Sequence, residues 1–240
     1  MIRVTVWHEY LPHEETSDVL AAYPEGLGTA LADIYRGEEF SVHNAYFSES
    51  EQGLPERLLD QTDVLLWWGH GRHHLVEEIT VDRVADRVRQ GMGAIFLHSA
   101  HASKPFIRLM GTTCTLKWRE AGEREHLWIT SPTHPIAQGL GDCFSIPHEE
   151  MYGEYFDIPT PDDVVFVGWF QGGNVFRSGV TYTRGLGKVF YFQPGHETFP
   201  VYTQPEIKQV LQNAARWANP VFRKELSCPN EQNPREKINF

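Results

Sequence analysis

Short runs of apolar residues alternate with amphipathic stretches along the first 110 residues of the chain. The run at residues 64–68 is apolar throughout, which is typical of a strand covered on both faces. Residues 79–90 carry apolar side chains on one helical stripe, and Gly91 is a plausible stop signal. This β-α-β-α-β rhythm predicts right-handed crossovers and a doubly wound sheet. The same pattern predicts strands at residues 2–7, 41–46 and 94–97, and helices at residues 17–35 (interrupted at 23–26), 54–59 and 104–110.

The pattern changes after residue 111, where glycine-rich turns separate further apolar runs. Residues 207–217 form an amphipathic stretch that predicts a closing helix. The polar segment after residue 220 predicts an extended arm that packs on the surface or on another subunit. We therefore expect a single α/β domain over residues 1–220, a C-terminal tail over residues 221–240, and a homo-oligomer. Strands are predicted at residues 128–130, 164–169, 175–183 and 188–192.

A histidine follows four of the predicted strands. His8, His70, His98 and His196 each stand at the carboxyl end of an apolar run. Ligands of open parallel α/β sheets bind just outside the carboxyl ends of the strands. If these runs share one parallel sheet, four imidazoles from distant parts of the sequence converge on one edge.

Charge and cysteine content narrow the class of protein. The 240 residues carry a net charge of −11, which argues against nucleic-acid or anionic-membrane partners because phosphate binding needs clustered Lys and Arg. The three cysteines form no CxxC pair, which favours a reducing compartment. No signal peptide and no apolar stretch of the roughly 18 residues that a membrane span requires is recognisable. We expect a cytoplasmic protein.

Four segments resemble the trehalose-utilisation protein family, a branch of the class I glutamine-amidotransferase-like superfamily. The resemblance extends over roughly residues 1–220, and the segments are residues 93–101, 111–119, 149–154 and 187–197. It implies a flavodoxin-like three-layer α/β/α sandwich with a mostly parallel sheet. It also implies a role in the catabolism of trehalose and related disaccharides, in which an oxidoreductase first makes a 3-keto sugar.

The chain departs from true amidotransferases at their strand-to-helix elbow, which carries a nucleophilic cysteine. Here the corresponding turn reads His98-Ser99-Ala100-His101 and contains no thiol, since Cys114, Cys143 and Cys228 all lie elsewhere. Glutamine hydrolysis through a thioester is therefore not expected. The two histidines of this turn offer an acid, a base or metal ligands, although one of them could simply cap the turn.

Glu149 and Glu150 are neighbours on an expected strand, so their side chains point to opposite faces. One can enter a site while the other stays in solvent, and the family motif favours Glu150 inside. Burial beside Tyr152 would raise its pKa and let it carry a proton. The alternative is that both carboxylates lie at the surface of the protein.

We assign candidate roles from these considerations. Clusters of His and carboxylate can bind a divalent ion such as Zn²⁺ or Mn²⁺ without local spacing rules, and no nucleotide cofactor is expected. Trp118 and Arg119 suit a sugar, although Arg119 can instead pair with Glu120, Glu123 or Glu125 at the surface. His73 and His74 are expected in a solvated turn, and Trp169 in the core. The catalytic candidates are Glu150, His101 and His196; the metal candidates are His98, His101, Glu150 and His196; the ligand-binding candidates are His8, Glu9, His70, Ser99, Trp118, Arg119, Tyr152 and Glu197.

Three functions remain open. The first is an isomerase, lyase or hydrolase acting on a small-molecule sugar substrate, most concretely a 3-keto disaccharide, by metal- or His/Glu-assisted proton abstraction. The second is a non-catalytic sugar-binding or interaction protein. The third is amidohydrolase or protease chemistry at Ser99, which would need a spatially paired histidine.

Overall fold

A nine-stranded mixed sheet organises the protein. The computed structural model describes residues 1–225 and 227–238. The strand order is β2-β1-β3-β4-β9-β8-β7-β5-β6. The strands are β1 (Ile2–His8), β2 (Phe40–Tyr46), β3 (Val64–Trp68), β4 (Gly93–Leu97), β5 (Lys117–Ile129), β6 (Cys143–Gly153), β7 (Asp163–Phe170), β8 (Val175–Arg184) and β9 (Gly187–Phe192).

Helices cover both faces of the half of the sheet that contains β2, β1, β3, β4 and β9. Successive residues of a strand point to opposite faces, so Leu66 and Trp68 enter one hydrophobic core while Leu65 and Trp67 enter the other. The expected three-layer arrangement is therefore present. The first core also holds residues of α1 (Ser17–Ala22), α2 (Leu27–Asp33) and α6 (Pro205–Ala218), and the second holds residues of α3 (Glu56–Gln61), α4 (Glu78–Arg89) and α5 (Lys104–Met110).

The expectation of a mostly parallel sheet is wrong. Within the described residues, four neighbouring strand pairs run parallel and four run antiparallel. All four antiparallel pairs lie between neighbouring strands of the β9-β8-β7-β5-β6 side. The sequence predicted a strand only at residues 128–130, at the end of β5, because the first nine residues of β5 are mostly polar and exposed and carry no apolar alternation.

The β5–β6 hairpin bends so that residues of β6, the outermost strand, lie next to the central strands of the sheet. Its register shifts between Arg119 and Glu125, which indicates a bulge. Although β6 is last in the strand order, the Glu150 carboxylate lies 3.0 Å from the ring of His98, which follows the central strand β4. The hairpin thus supplies acidic side chains to the carboxyl edge of the parallel strands.

The first residues after α6 pack on the opposite edge of the sheet. The Arg223 guanidinium donates to the carbonyl of Asp60 at 2.8 Å and to the carboxylate of Asp63 at 2.8 Å. The amide of Lys224 donates to the carbonyl of Gln90. Residues 227–238 are exposed and form neither helix nor strand. Self-association through this tail stays a prediction.

No helix in the described part of the chain has both the length and the apolar character needed to cross a membrane.

Candidate active site

Seven aromatic rings form a continuous path along the carboxyl edge of the parallel strands. His98 sits at the turn after β4 with a φ of 50°, a strained conformation that projects its side chain above the sheet. The structure brings the four strand-end histidines together, as the sequence predicted. Adjacent ring centres are 4.8 to 6.4 Å apart in the order His8, Trp68, His70, His196, His98, Tyr152 and His101.

At the centre of this path, His98 and Glu150 form a buried ion pair. Nδ1 of His98 donates to the carbonyl of Gln193 at 2.9 Å, and Nε2 lies 3.0 Å from Oε2 of Glu150. Burial disfavours the imidazolium, but the hydrogen bond with Glu150 and the charge of Glu149 outweigh it and raise the pKa of His98 to about 9. Burial likewise disfavours the Glu150 carboxylate, but the bond from His98 holds the pKa of Glu150 below its usual range.

The Tyr152 hydroxyl completes this centre. It lies 3.3 Å from Nε2 of His98, and the two rings stack. The other oxygen of Glu150, Oε1, forms no hydrogen bond with any described residue. The ionised carboxylate therefore keeps one oxygen for a ligand. The expectation of a raised pKa for Glu150 is not met, because the charged partner outweighs burial.

His101 presents a bare nitrogen to the site. Its Nδ1 lies 2.8 Å from the carbonyl of Cys114, and since a carbonyl only accepts, Nδ1 must carry the hydrogen. Burial lowers the pKa of His101 to about 4, so the ring is neutral at physiological pH. The lone pair of Nε2 is then available as an acceptor or a base.

His196 has the opposite tautomer. The amide of Thr198 donates to its Nδ1 at 3.3 Å, and the Thr198 hydroxyl lies 2.9 Å from the same atom. Burial and the neighbouring charge of His98 lower the pKa of His196. The neutral ring therefore carries its hydrogen on Nε2, which lies 3.8 Å from the exposed carboxylate of Glu120. His196 can therefore donate a hydrogen bond through Nε2.

His70 and Glu197 form a second ion pair, with Nδ1 of His70 2.7 Å from Oε1 of Glu197. This bond raises the pKa of His70. Burial opposes the charge of Glu197, but His70 outweighs it and lowers the pKa of Glu197 to about 2. Oε2 of Glu197 is buried without a hydrogen-bond partner and lies 3.9 Å from Nδ1 of His196.

Two buried carboxylates hold the loops that carry these histidines. Glu9 accepts hydrogen bonds from the amides of Gly71 and Arg72, at 2.6 and 2.9 Å. Glu149 accepts from the amides of Gly195 and His196, at 2.7 and 3.1 Å, and from that of Glu150 at 2.8 Å. The expectation that one of the two adjacent glutamates stays in solvent is wrong, since both are buried. Glu9 and Glu149 position loops and leave little room for a ligand.

The remaining candidates are placed less centrally. The Ser99 hydroxyl donates to the carbonyl of Gly69 and has no histidine partner among the described residues, which leaves it without an activating base. Arg119 pairs with Glu123 at 2.7 Å and with the amide oxygen of Asn174, as the surface alternative anticipated. Trp118 is 66% exposed and lies opposite Tyr152 in the hairpin register.

Two expectations about aromatic residues fail. Trp169 is 53% exposed and is not a core residue. His73 is not solvated, because both of its ring nitrogens are buried without partners and burial lowers its pKa to about 4. Both lie in segments whose one-dimensional pattern gave no sign of these surroundings.

The four proposed metal ligands lie close together but do not form a ready ligand set. No group of three or more His, Cys, Asp or Glu in residues 1–225 and 227–238 has the geometry of a metal site. Both nitrogens of His98 are engaged, by Gln193 and by Glu150. His101 Nε2 and Glu150 Oε1 are the donors that fit a cation, and a Zn²⁺ or Mn²⁺ cofactor stays a prediction.

A cavity of about 280 Å³ adjoins the His70–Glu197 pair. His8, which lines this cavity, was predicted from the sequence as a ligand-binding candidate. Glu15, which also lines it, was not, because it lies in a polar loop without periodicity. Both carboxylate oxygens of Glu15 accept from the amide of Leu27 at 3.1 Å. Burial raises the pKa of Glu15 to about 7 and lowers that of His8 to about 4.

Comparison with solved structures shows that the α/β fold, with its large mixed sheet, is similar to glutamine-amidotransferase-like structures. A glutamine amidotransferase from Thermotoga maritima superposes with a TM-score of 0.50 at 10% identity, over 82% of this chain and 76% of that one. A ThuA-like protein from Parabacteroides merdae gives 0.68 at 15% identity, over 96% and 94% of the two chains. A ThuA-like protein from Bacteroides uniformis gives 0.64 at 14% identity, over 90% and 91%.

The family profile described as trehalose utilisation, ThuA, matches residues 3–218, and the chain belongs to this family. The membership suggests a role in trehalose utilisation. No curated protein sequence matches the chain significantly.

Proposed function

We propose that this protein is an enzyme that removes a proton from the carbon next to the ketone of an oxidised disaccharide, such as 3-keto-trehalose. One observation carries the proposal. Glu150 is held ionised by His98 through one oxygen, and its free oxygen stands in a ring cluster with a neutral acceptor, His101, and a neutral donor, His196. Proton abstraction next to a carbonyl requires such a base together with an electrophile for the developing oxyanion.

In the proposed reaction, Oε1 of Glu150 takes the proton from C2 of the 3-keto ring. The C2–H electron pair moves into a C2–C3 double bond, and the carbonyl pair moves onto O3, which forms an enolate. The Nε2–H of His196 donates to this oxygen. His101 Nε2 accepts from a neighbouring hydroxyl and orients the ring. His98 keeps the carboxylate aligned and disperses charge as Glu150 changes its protonation state.

Two outcomes can follow the enolate. In an elimination, the O3 pair re-forms the C3 carbonyl, the C2–C3 double-bond pair moves to form a C1–C2 double bond, the glycosidic C1–O1 bond breaks, and the departing oxygen takes the proton held by Glu150. In an isomerisation, C3 takes the proton held by Glu150, the proton of the C2 hydroxyl passes to O3, and the C2–C3 pair and the O2–H pair rearrange to give a 2-keto sugar with a hydroxyl at C3. Both begin with the same step, and the product distinguishes them.

The test is Glu150→Gln assayed with 3-keto-trehalose in D₂O, with loss of the H2 signal and product formation followed by NMR. We expect kcat to fall by about 10²–10⁴-fold, because the amide cannot accept the proton, while KM changes little. Glu206→Gln, an exposed change on α6, serves as the matched control. Wild-type protein that binds the sugar without exchange or product would instead be a non-catalytic sugar-binding protein.

A further inference from the structure

We propose that the cavity between His8 and the His70–Glu197 pair binds the second, uncharged hexose ring of the disaccharide and so selects disaccharides over monosaccharides. This inference rests on the proposed function, because it assumes that the reacting ring lies at Glu150. It assigns a role to Glu15, which takes no part in the chemistry proposed there.

The position of the cavity supports this assignment. His70 and Glu197 line it, and the same two residues lie beside His196, with ring centres of the two histidines 6.1 Å apart. A ring bound at Glu150 that hydrogen-bonds His196 therefore extends its glycosidic substituent across His70 and into the cavity. The volume of about 280 Å³ is near the lower end of the range for small-molecule sites, which starts at about 300 Å³.

Two acceptor atoms of the residues that line the cavity are buried and lack donors among the described residues. His8 Nε2 and Glu197 Oε2 are both buried without a partner in the described part of the chain. Nδ1 of His8 lies 2.7 Å from the carbonyl of Tyr10 and therefore carries the hydrogen of the neutral ring, which leaves Nε2 as an acceptor. Glu15 Oε1 lies 3.8 Å from this atom, and its two oxygens share a single amide donor.

Unpartnered buried polar atoms are costly, so a native site that keeps them usually has a partner for them. Here that partner must donate hydrogen bonds. Glu14 and Glu197 line the same cavity, and the pKa of each carboxyl group is lowered, so their negative charges disfavour an anionic ligand. Val19 and Leu27 add apolar contacts that suit the C–H face of a sugar ring. A neutral ring with several hydroxyl groups fits this combination.

The experiment measures two quantities on Glu15→Gln and on its matched control, Glu25→Gln, an exposed change ten residues along the chain. The first is the Kd of unoxidised trehalose, which has no ketone to react, by titration calorimetry. The second is the pair of constants kcat and KM, determined separately with the oxidised disaccharide 3-keto-trehalose and with the monosaccharide 3-keto-glucose. The amide oxygen introduced by Glu15→Gln can still accept from the amide of Leu27, so the fold should be kept.

We expect Glu15→Gln to raise both the Kd of trehalose and the KM for the oxidised disaccharide by about tenfold, the loss of about one hydrogen bond to the Glu15 carboxyl group. Values of kcat, and both constants for 3-keto-glucose, should stay within twofold of the wild type. His8→Phe keeps the ring on Trp68 but removes the acceptor, and should act in the same direction if Glu15→Gln misfolds. A phosphorylated trehalose should bind at least tenfold more weakly than trehalose.

The outcomes separate this inference from the proposed function. Unchanged trehalose binding in both folded variants would overturn the cavity assignment, even if Glu150→Gln abolishes exchange. Equal losses for 3-keto-trehalose and 3-keto-glucose would also overturn it. Weakened trehalose binding in a protein whose Glu150→Gln variant keeps full activity would support the cavity and refute the proton abstraction.

Discussion

At the residue scale, the charge of each histidine is decided by its partners. His98, His101 and His196 are all largely buried, yet only His98 has a pKa raised by a carboxylate, while burial lowers the pKa of the other two. His98 is thus an imidazolium, His101 is a neutral ring that can accept at Nε2, and His196 is a neutral ring that can donate at Nε2. This division of states allows an acid, a base and a fixed charge to coexist at neutral pH.

The His98–Glu150 pair makes a prediction about pH. The folded-state pKa of His98, about 9, lies above its usual value of 6.5. Protonation of His98 therefore adds its full contribution to the free energy of unfolding below about pH 6.5, and this contribution is lost as the pH rises through 9. We expect the Tm to fall between pH 7 and 9.5, and Glu150→Gln to flatten that fall, since it removes the largest cause of the raised pKa.

NMR of the His98 ring protons provides the direct measurement. They should titrate near pH 9 in the wild-type protein and at lower pH in Glu150→Gln. A wild-type midpoint near 6.5 would show that the pair does not form in solution.

At the element scale, the loops after β3 and β9 depend on buried carboxylates for their backbone hydrogen bonds. Glu9 binds the loop after β3 and Glu149 the loop after β9. Neither loop forms regular structure, so its amides need acceptors elsewhere. Glu9 and Glu149 therefore position the loops that carry His70 and His196.

Glu149→Gln should destabilise the loop after β9. The amide offers one acceptor oxygen where the carboxylate serves three backbone donors, and its NH₂ group would face another N–H. We expect a loss of about 2–3 kcal/mol in the free energy of unfolding, measured by urea denaturation, and faster hydrogen exchange at the amides of Gly195 and His196. An unfolding midpoint equal to that of Glu206→Gln would contradict this role.

At the scale of the whole molecule, the site depends on the union of a parallel and an antiparallel half-sheet. The parallel strands deliver the histidines, and the antiparallel hairpin delivers Glu149 and Glu150. Neither half contains the site alone. The tail contributes at the opposite edge of the sheet, where Arg223 joins the carbonyl of Asp60 to the carboxylate of Asp63.

Two truncations test the tail. A chain that ends at Glu225 keeps the Arg223 contacts and should match the Tm of the full chain, while one that ends at Asn219 loses them and should melt several degrees lower. Sedimentation velocity on the same proteins tests the predicted homo-oligomer. If both truncations are monomeric where the full chain is a dimer, residues beyond 225 mediate association. Equal Tm values in all three would show that the Arg223 contacts contribute nothing.

The prediction of elements succeeded where the apolar pattern is local and regular. The strand at residues 64–68 and the helix at residues 104–110 have the predicted bounds. The helix predicted over residues 17–35 is interrupted where the sequence indicated, between α1 and α2. The first part of β5 was missed because a strand exposed on a hairpin needs no apolar alternation, and its partner strand supplies the hydrogen bonds.

Short-range periodicity was enough to predict the elements of the parallel half of the sheet and the histidine at or after the end of each of β1, β3, β4 and β9. Folding alone brings Glu150 to His98, 52 positions away, and His98 to Gln193, 95 positions away. It also decided the tautomers of His101 and His196 and the enclosure of Glu15. These properties arise from contacts between distant segments, and no local pattern of residues encodes them.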